Sequence, residues 1–447
     1  MYKYLVLLMI LALAPWAGQA QAQSRRLDLM EVYSLALERD AAHAADRAAR
    51  DAGVEKAEQG AAIMLPQVFL EGSVGYTDQN ITYKGTELLQ GGHTNYPGGG
   101  YSISVAQPLF RMRNMAVRRQ GMAAAQMART AYLLASQNMI QRTAAAYFNV
   151  LLAQNAIDFI DAQKQAISEH LARARKSYEL GAASITDTHE AQARFDITAS
   201  QEVMARQGLL IAMEELAKII GETGFTLAPL REDFTPAPPM PDDIEKWTEE
   251  ALATSPYLEL KHKALLVAAE ETAKTKGERL PALDVVANYN YLNQGGSSFG
   301  IGMENTTQSV NLRISVPLYT GGAISSRIRE AQANEEKARH ELEEARRQTR
   351  LWVRAAFMRV VSAKAEVNAL KQALVSSISA LASTQQGFGV GLRNAVDVLD
   401  SQRQTFEARQ ALAKGKYNYL LSMLALEAAA GKLDEDGLSR IADYMAP

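Results

Sequence analysis

Four stretches of the chain alternate apolar and polar residues with a period of two. From Val68, "VFLEGSVGY" puts Val68, Leu70, Val74 and Tyr76 on one face and Glu71, Ser73 and Gly75 on the other. "YSISVAQPL" sets Tyr101, Ile103, Val105 and Leu109 against Ser102 and Ser104. "LDVVANYNY" sets Leu283, Val285, Ala287, Tyr289 and Tyr291 against Asp284, Asn288 and Asn290, and "SVNLRISVPL" sets Val310, Leu312, Ile314, Val316 and Leu318 against Asn311, Arg313 and Ser315. This alternation predicts β-strands, and tyrosines near the strand ends match outer-membrane strands with the apolar face toward lipid. A soluble sheet with one wet face predicts the same alternation but not the tyrosines. The glycine-rich stretches "GGHTNYPGGG" and "NQGGSSFGIGMEN" read as external loops.

Elsewhere the apolar positions recur every three or four residues, the helical period. One helix is expected over roughly 29–64. From Arg111 to Tyr178 there is no proline and Gly121 is the only glycine, which predicts a rod on the order of 100 Å. A return arm is expected over about 185–220. In the second half, "AQANEEKARHELEEARRQTRLWVRAAF" and 395–430 play the same two parts.

The order repeats because the chain is written twice. Asp28 recurs as Asp243 and Leu65-Pro66 as Leu280-Pro281, both 215 residues later. Pro108 recurs as Pro317 after 209, and Gly181, Asp187, Gln192 and Gly221 recur as Gly391, Asp397, Gln402 and Gly431 after 210. The drop in offset predicts a shorter loop between the strands of the second copy. The expected organisation is a first repeat at 23–225 (strands about 67–78 and 100–110, hairpin about 111–221) and a linker at 226–242. The second repeat is 243–447 (strands about 282–292 and 308–319, hairpin about 320–430, short tail). The linker holds five of the thirteen prolines, which favour an extended chain. The fold class is mainly α with a transmembrane β part.

Composition narrows the setting. The N-terminus "MYKYLVLLMILALAPWAGQAQAQ" has a basic start, an apolar run too short to span a bilayer and a small-x-small site, so residues 1–22 read as a secretory signal peptide. An uncleaved anchor is the alternative. The chain has no cysteine, hence no disulfide and no lipid-modified N-terminal cysteine, and a net charge of −3 gives no nucleic-acid surface. His43, His93, His170, His189, His262 and His340 form no ligand-spaced cluster, and neither a nucleophile elbow, HExxH nor a phosphate loop occurs. No enzyme activity, cofactor or metal is expected.

Four strands cannot close a membrane barrel, for which eight is the smallest number, and an open edge in lipid leaves unpaired backbone groups. Membrane strands therefore require several chains; two give eight strands, three twelve and four sixteen, and geometry alone does not choose.

The hairpin tips fall at Gly181 and Gly391. Ser184 and Asn394 are good N-caps, with Asp187 and Asp397 three residues on, a capping-box spacing worth about 1 kcal/mol. Capping leaves Asp400 unexplained, although Glu190 holds its place in the first copy. Asp397 and Asp400 share a helix face, where like charges repel.

The duplicated helix–strand–strand–hairpin unit, "ISVPLYTGG" and "VGLRNAVDVLDSQRQTFEARQALAKGKYNYLLSMLALEAAAGKL" resemble the TolC-type outer-membrane factors, over essentially the whole mature length. The last segment and the missing lipid-anchor cysteine are nearer the TolC-like branch than its lipidated drug-efflux relatives. The resemblance implies a homotrimer with a twelve-stranded barrel in the outer membrane and a twelve-helix barrel across the periplasm. That assembly would be the exit duct of a type I secretion or multidrug efflux system, recruited by a periplasmic adaptor and an inner-membrane pump. It implies that Asp397 and Asp400 form aspartate rings at the constriction. Arg393 and Phe388 would hold the closed state against Asp187 and Thr186 of a neighbouring hairpin. Phe388 stands where the family has tyrosine and cannot donate a hydroxyl hydrogen bond. The family's adaptor-contacting tip is present as Val390-Gly391-Leu392; the first copy departs, with Leu180, Gly181 and Ala182. The competing reading is a soluble periplasmic adaptor or coiled-coil stalk, which would lack the four alternating strands.

Overall fold

The computed structural model describes residues 25–82, 84, 91–182, 184–297 and 301–446. The expected signal peptide lies outside the described residues. In chain order the elements are β1 (Arg26–Leu27), α1 (Leu29–Arg39), α2 (Ala41–Ala62), β2 (Gln67–Ile81), β3 (Gly92–Phe110), α3 (Met112–Glu179), α4 (Ile185–Ile220) and β4 (Thr226–Leu227). The second copy follows as α5 (Ile244–Thr254), α6 (Pro256–Gly277), β5 (Ala282–Gln294), β6 (Met303–Ser315), α7 (Ala323–Gly389), α8 (Ala395–Ala429) and α9 (Glu435–Ala442). Two compact units form, one from 25–44, 136–249 and 352–446, the other from 45–135 and 250–351, so each draws on both sequence copies.

The second unit holds an antiparallel sheet in the order β2-β3-β5-β6. Its register lines up the apolar faces read from the sequence. Val68, Val105, Ala287 and Val310 form one row, and Leu70, Ile103 and Tyr289 form part of the next. Tyr101 stacks on Tyr291 with ring centroids 5.2 Å apart. A soluble sheet would bury this face. Here Val74 is 95% exposed, Leu312 63% and Leu70 72%, an apolar surface of the kind that marks an interaction or membrane face. No described helix is long and apolar enough to cross a membrane.

Several boundaries differ from expectation. The stretch from Gly92 to Gly100, expected as loop, is strand paired with β2 out to Ile81↔Gly92. The glycines do not break it because the neighbouring backbone comes close: a Cβ on Gly100 would meet the Tyr291 carbonyl oxygen at 2.4 Å. The length difference between the copies therefore lies mostly in the strands, 15 and 19 residues against 13 and 13, and not in the loop alone. β6 starts earlier than expected, at Met303, and ends at Ser315, before Pro317, which lacks a ladder donor.

The expected single helix over 29–64 is two. Asp40 interrupts it in an extended conformation, accepts from the Ala42 N–H (3.1 Å) and pairs with Arg142. The second copy breaks at the equivalent Ser255, with Pro256 opening α6. Where β3 meets α3, Arg111 forks onto the buried Asp284 at the start of β5 (Nε to Oδ1, 2.7 Å) and Asn114 donates to the Ile63 carbonyl (2.8 Å).

The other unit is built around an aromatic core. Tyr147 packs edge-on against Phe148, which stacks on Tyr417. The proline-rich segment is docked onto this unit. Thr226–Leu227 pairs in parallel with Arg26–Leu27, and Phe234 is buried. The hydroxyls of Tyr147 and Tyr419 donate to the Ala228 and Ala237 carbonyls at 2.7 and 2.6 Å. The expected tail folds as α9, capped by Asp434.

Candidate functional site

The two hairpin tips are built alike. Past α3, Gly181 turns left-handed (φ 70°); its N–H donates to Tyr178 O (2.9 Å) and the Ala182 N–H to Ser177 O (2.8 Å). Past α7, Gly391 does the same (φ 77°), with its N–H on Phe388 O (3.1 Å) and the Leu392 N–H on Gly387 O (2.8 Å). These bonds satisfy carbonyls left open at the helix ends. Leu180, Val390 and Leu392 are left strongly exposed, Leu392 at 82%.

Capping boxes then start both return helices. Asn394 Oδ1 accepts from the Asp397 N–H (2.8 Å) and Asp397 Oδ2 accepts from the Asn394 N–H (3.1 Å). In the first copy Ser184 Oγ accepts from the Thr186 N–H (3.1 Å) and Asp187 Oδ2 accepts from the Ser184 N–H (3.3 Å). Both aspartates thus hold orphan N–H groups at the positive end of a helix dipole.

Asp400 is held differently. Its Oδ1 accepts from Arg194 Nη2 of α4 at 3.1 Å, and Arg403 Nε lies 3.8 Å from the same oxygen. Arg393, just before the α8 cap, lies 3.9 Å from Asp397 Oδ2; within one chain and among the described residues it forms no ion pair with Asp187. Phe388 packs on His170 of α3, and the Thr186 N–H donates to Ser184 Oγ.

The structure thus brings Asp187 and Thr186 into one cap, and places Asp397 and Asp400 one turn apart at the start of α8, with Arg393 two residues before that helix. Val390, Gly391 and Leu392 form one exposed tip, and Gly181 the matching turn. Sequence reasoning missed Arg194, Arg403 and His170. Arg403 stands three residues after Asp400 and could have been found as a helical pair; Arg194 lies on another helix and carries no such signal. Among the described residues no group of three His, Asp or Glu could hold a metal. The site offers apolar contact and fixed charge.

Known proteins agree with this architecture. The family model described as outer membrane efflux protein matches residues 32–222 and 247–432. The chain is 32% identical to the outer membrane protein TolC of Escherichia coli K12, covering 98% of this chain and 88% of that one. It is 30% identical to the alkaline protease secretion protein AprF of Pseudomonas aeruginosa, covering 93% and 87%. The crystal structure of the outer membrane protein VceC from Vibrio cholerae superposes with a TM-score of 0.75 at 16% identity, over 90% of this chain and 96% of that one. The duplicated unit, the four-stranded sheet and the paired long hairpins thus place this chain in the outer membrane efflux protein family.

Proposed function

We propose that the protein is an outer-membrane exit duct of a tripartite type I secretion or multidrug efflux system, extending into the periplasm. One observation carries this: a four-stranded sheet whose apolar face is exposed and whose edge strands β2 and β6 are free to pair with other copies. In lipid those edges must be paired. Three copies complete twelve strands, and their hairpins supply a barrel of helices. A soluble adaptor or stalk has no use for such a sheet, and the family places the chain in the outer membrane.

In this reading the tips are the gate. Asp397 and Asp400 line the constriction as rings of carboxylates. Arg393 and Phe388 hold the closed state against Asp187 and Thr186. Val390, Gly391, Leu392 and Gly181 meet the adaptor, whose binding releases the second-copy hairpin. Support comes from the capping boxes that fix Asp187 and Asp397 and from the exposed apolar tips.

The absence of native cysteine makes a direct test available. Pairs of introduced cysteines, one on β2 and one on β6, are oxidised in the outer membrane. A cross-linked ladder that stops at the trimer is expected; monomer alone, or an open-ended ladder, contradicts the closed trimer.

A further inference from the structure

Asp400 has a cross-helix partner that its neighbour Asp397 lacks. Arg194 on α4 donates to Asp400 Oδ1 on α8 at 3.1 Å, with both side chains about a third exposed. Arg194 lies one helical turn further past its own tip than Asp400 does past its tip, so the bond links two return helices with offset registers. The position matching Arg194 in the second copy is Gln404, so the bond is not duplicated. Arg403 also approaches Asp400, at 3.8 Å, but its guanidinium is shared with Glu407 at 2.8 Å. Among the described residues Asp397 pairs with Arg393 alone, at 3.9 Å from just before its helix, and otherwise serves as a cap.

We infer that Arg194 is a specificity-determining residue of the conduit: it neutralises Asp400, so that Asp397 carries most of the negative charge of this carboxylate pair. This rests on the proposed reading of the aspartates as lumenal. A lone half-exposed ion pair adds little stability. Its effect on permeating ions is different in kind, because each chain presents about one net negative charge from the pair of carboxylates instead of two. In a threefold assembly the guanidinium acts three times. It lowers the preference for cations and leaves the opening to larger cargo less strongly charged.

The test is the reversal potential of single channels in a potassium chloride gradient, for wild type, Arg194→Gln, Arg194→Lys, Asp400→Asn and the double variant. Arg194→Gln should raise the potassium-to-chloride permeability ratio by about twofold or more, the effect of one unit charge about 10 Å away at the dielectric of water. Arg194→Lys should keep the wild-type ratio. Asp400→Asn should lower the ratio, and adding Arg194→Gln to it, which again leaves about one net negative charge per chain, should return the ratio to near the wild-type value. If Asp400→Asn has no effect, the lumenal reading of Asp400 falls and the inference falls with it. If Asp400→Asn lowers the ratio but Arg194→Gln leaves it unchanged, the lumenal reading stands and the inference is overturned. A double variant that stays as low as Asp400→Asn means permeating ions do not feel the Arg194 charge, which also overturns it. Should Arg194→Gln alone fail to assemble, the double variant against Asp400→Asn still decides.

Discussion

His170 packs edge-on against Phe388, with ring centroids 6.0 Å apart and planes at 85°. The imidazole is 5% exposed and its Nε2 has no hydrogen-bond partner. Burial, reinforced by Arg173, pushes its pKa below the ordinary 6.5; a hydrogen bond with the Ala395 backbone and the charge of Asp187 pull the other way. The unfolded chain therefore takes up a proton before the folded one. The packing contributes fully above about pH 6.5 and is lost as pH falls below that value. Thermal unfolding of the purified protein in detergent should show a steeper loss between about pH 7.5 and 5.5 for wild type than for His170→Leu. Parallel profiles would contradict this.

The Arg111–Asp284 fork joins the start of α3 to the start of β5. Asp284 is 5% exposed and Arg111 partly so. Arg111→Ala leaves a buried carboxylate unpaired and should cost about 3 kcal/mol. Asp284→Asn leaves only a half-exposed guanidinium and an amide that still accepts from it, and should cost clearly less. Denaturant titration of both variants checks the order.

Gly389 and Gly391 sit two residues apart and answer to different constraints. A Cβ would have open space at either. Gly391, however, has φ 77°, where a Cβ costs about 1–2 kcal/mol, whereas Gly389 closes α7. Gly391→Ala should lower the melting temperature, and Gly389→Ala should leave it unchanged or raise it slightly. Equal effects would remove the backbone argument.

The two faces of β6 should respond oppositely. Leu312 lies on the exposed apolar face and Asn311 on the other. Leu312→Arg should cost about 2–4 kcal/mol of membrane folding if near the bilayer midplane. Asn311→Arg should fold normally. Heat-modifiable migration on gels after refolding into vesicles separates the two.

Local motifs were the legible part. Gly181 and Gly391, with Ser184–Asp187 and Asn394–Asp397, are turns and caps that each span a few residues, and the sequence placed them correctly. The strand faces were legible too, because alternation is set by the pleat. Strand ends were not, since Gly92 to Gly100 read as loop by composition and pairs only because β2 runs on beside it. The break at Asp40 was hidden by an unbroken helical period and depends on Arg142, about a hundred residues away. Arg194 meets Asp400 only through the relative register of α4 and α8, which neither helix encodes alone.

Recordings of the purified protein in a planar lipid bilayer, wild type beside Asp397→Ala/Asp400→Ala, decide whether it is a channel with a carboxylate-lined constriction. Wild type should show discrete, cation-selective channel steps, and the double variant should lose that selectivity. Failure of the wild-type protein to insert and conduct would contradict the channel reading.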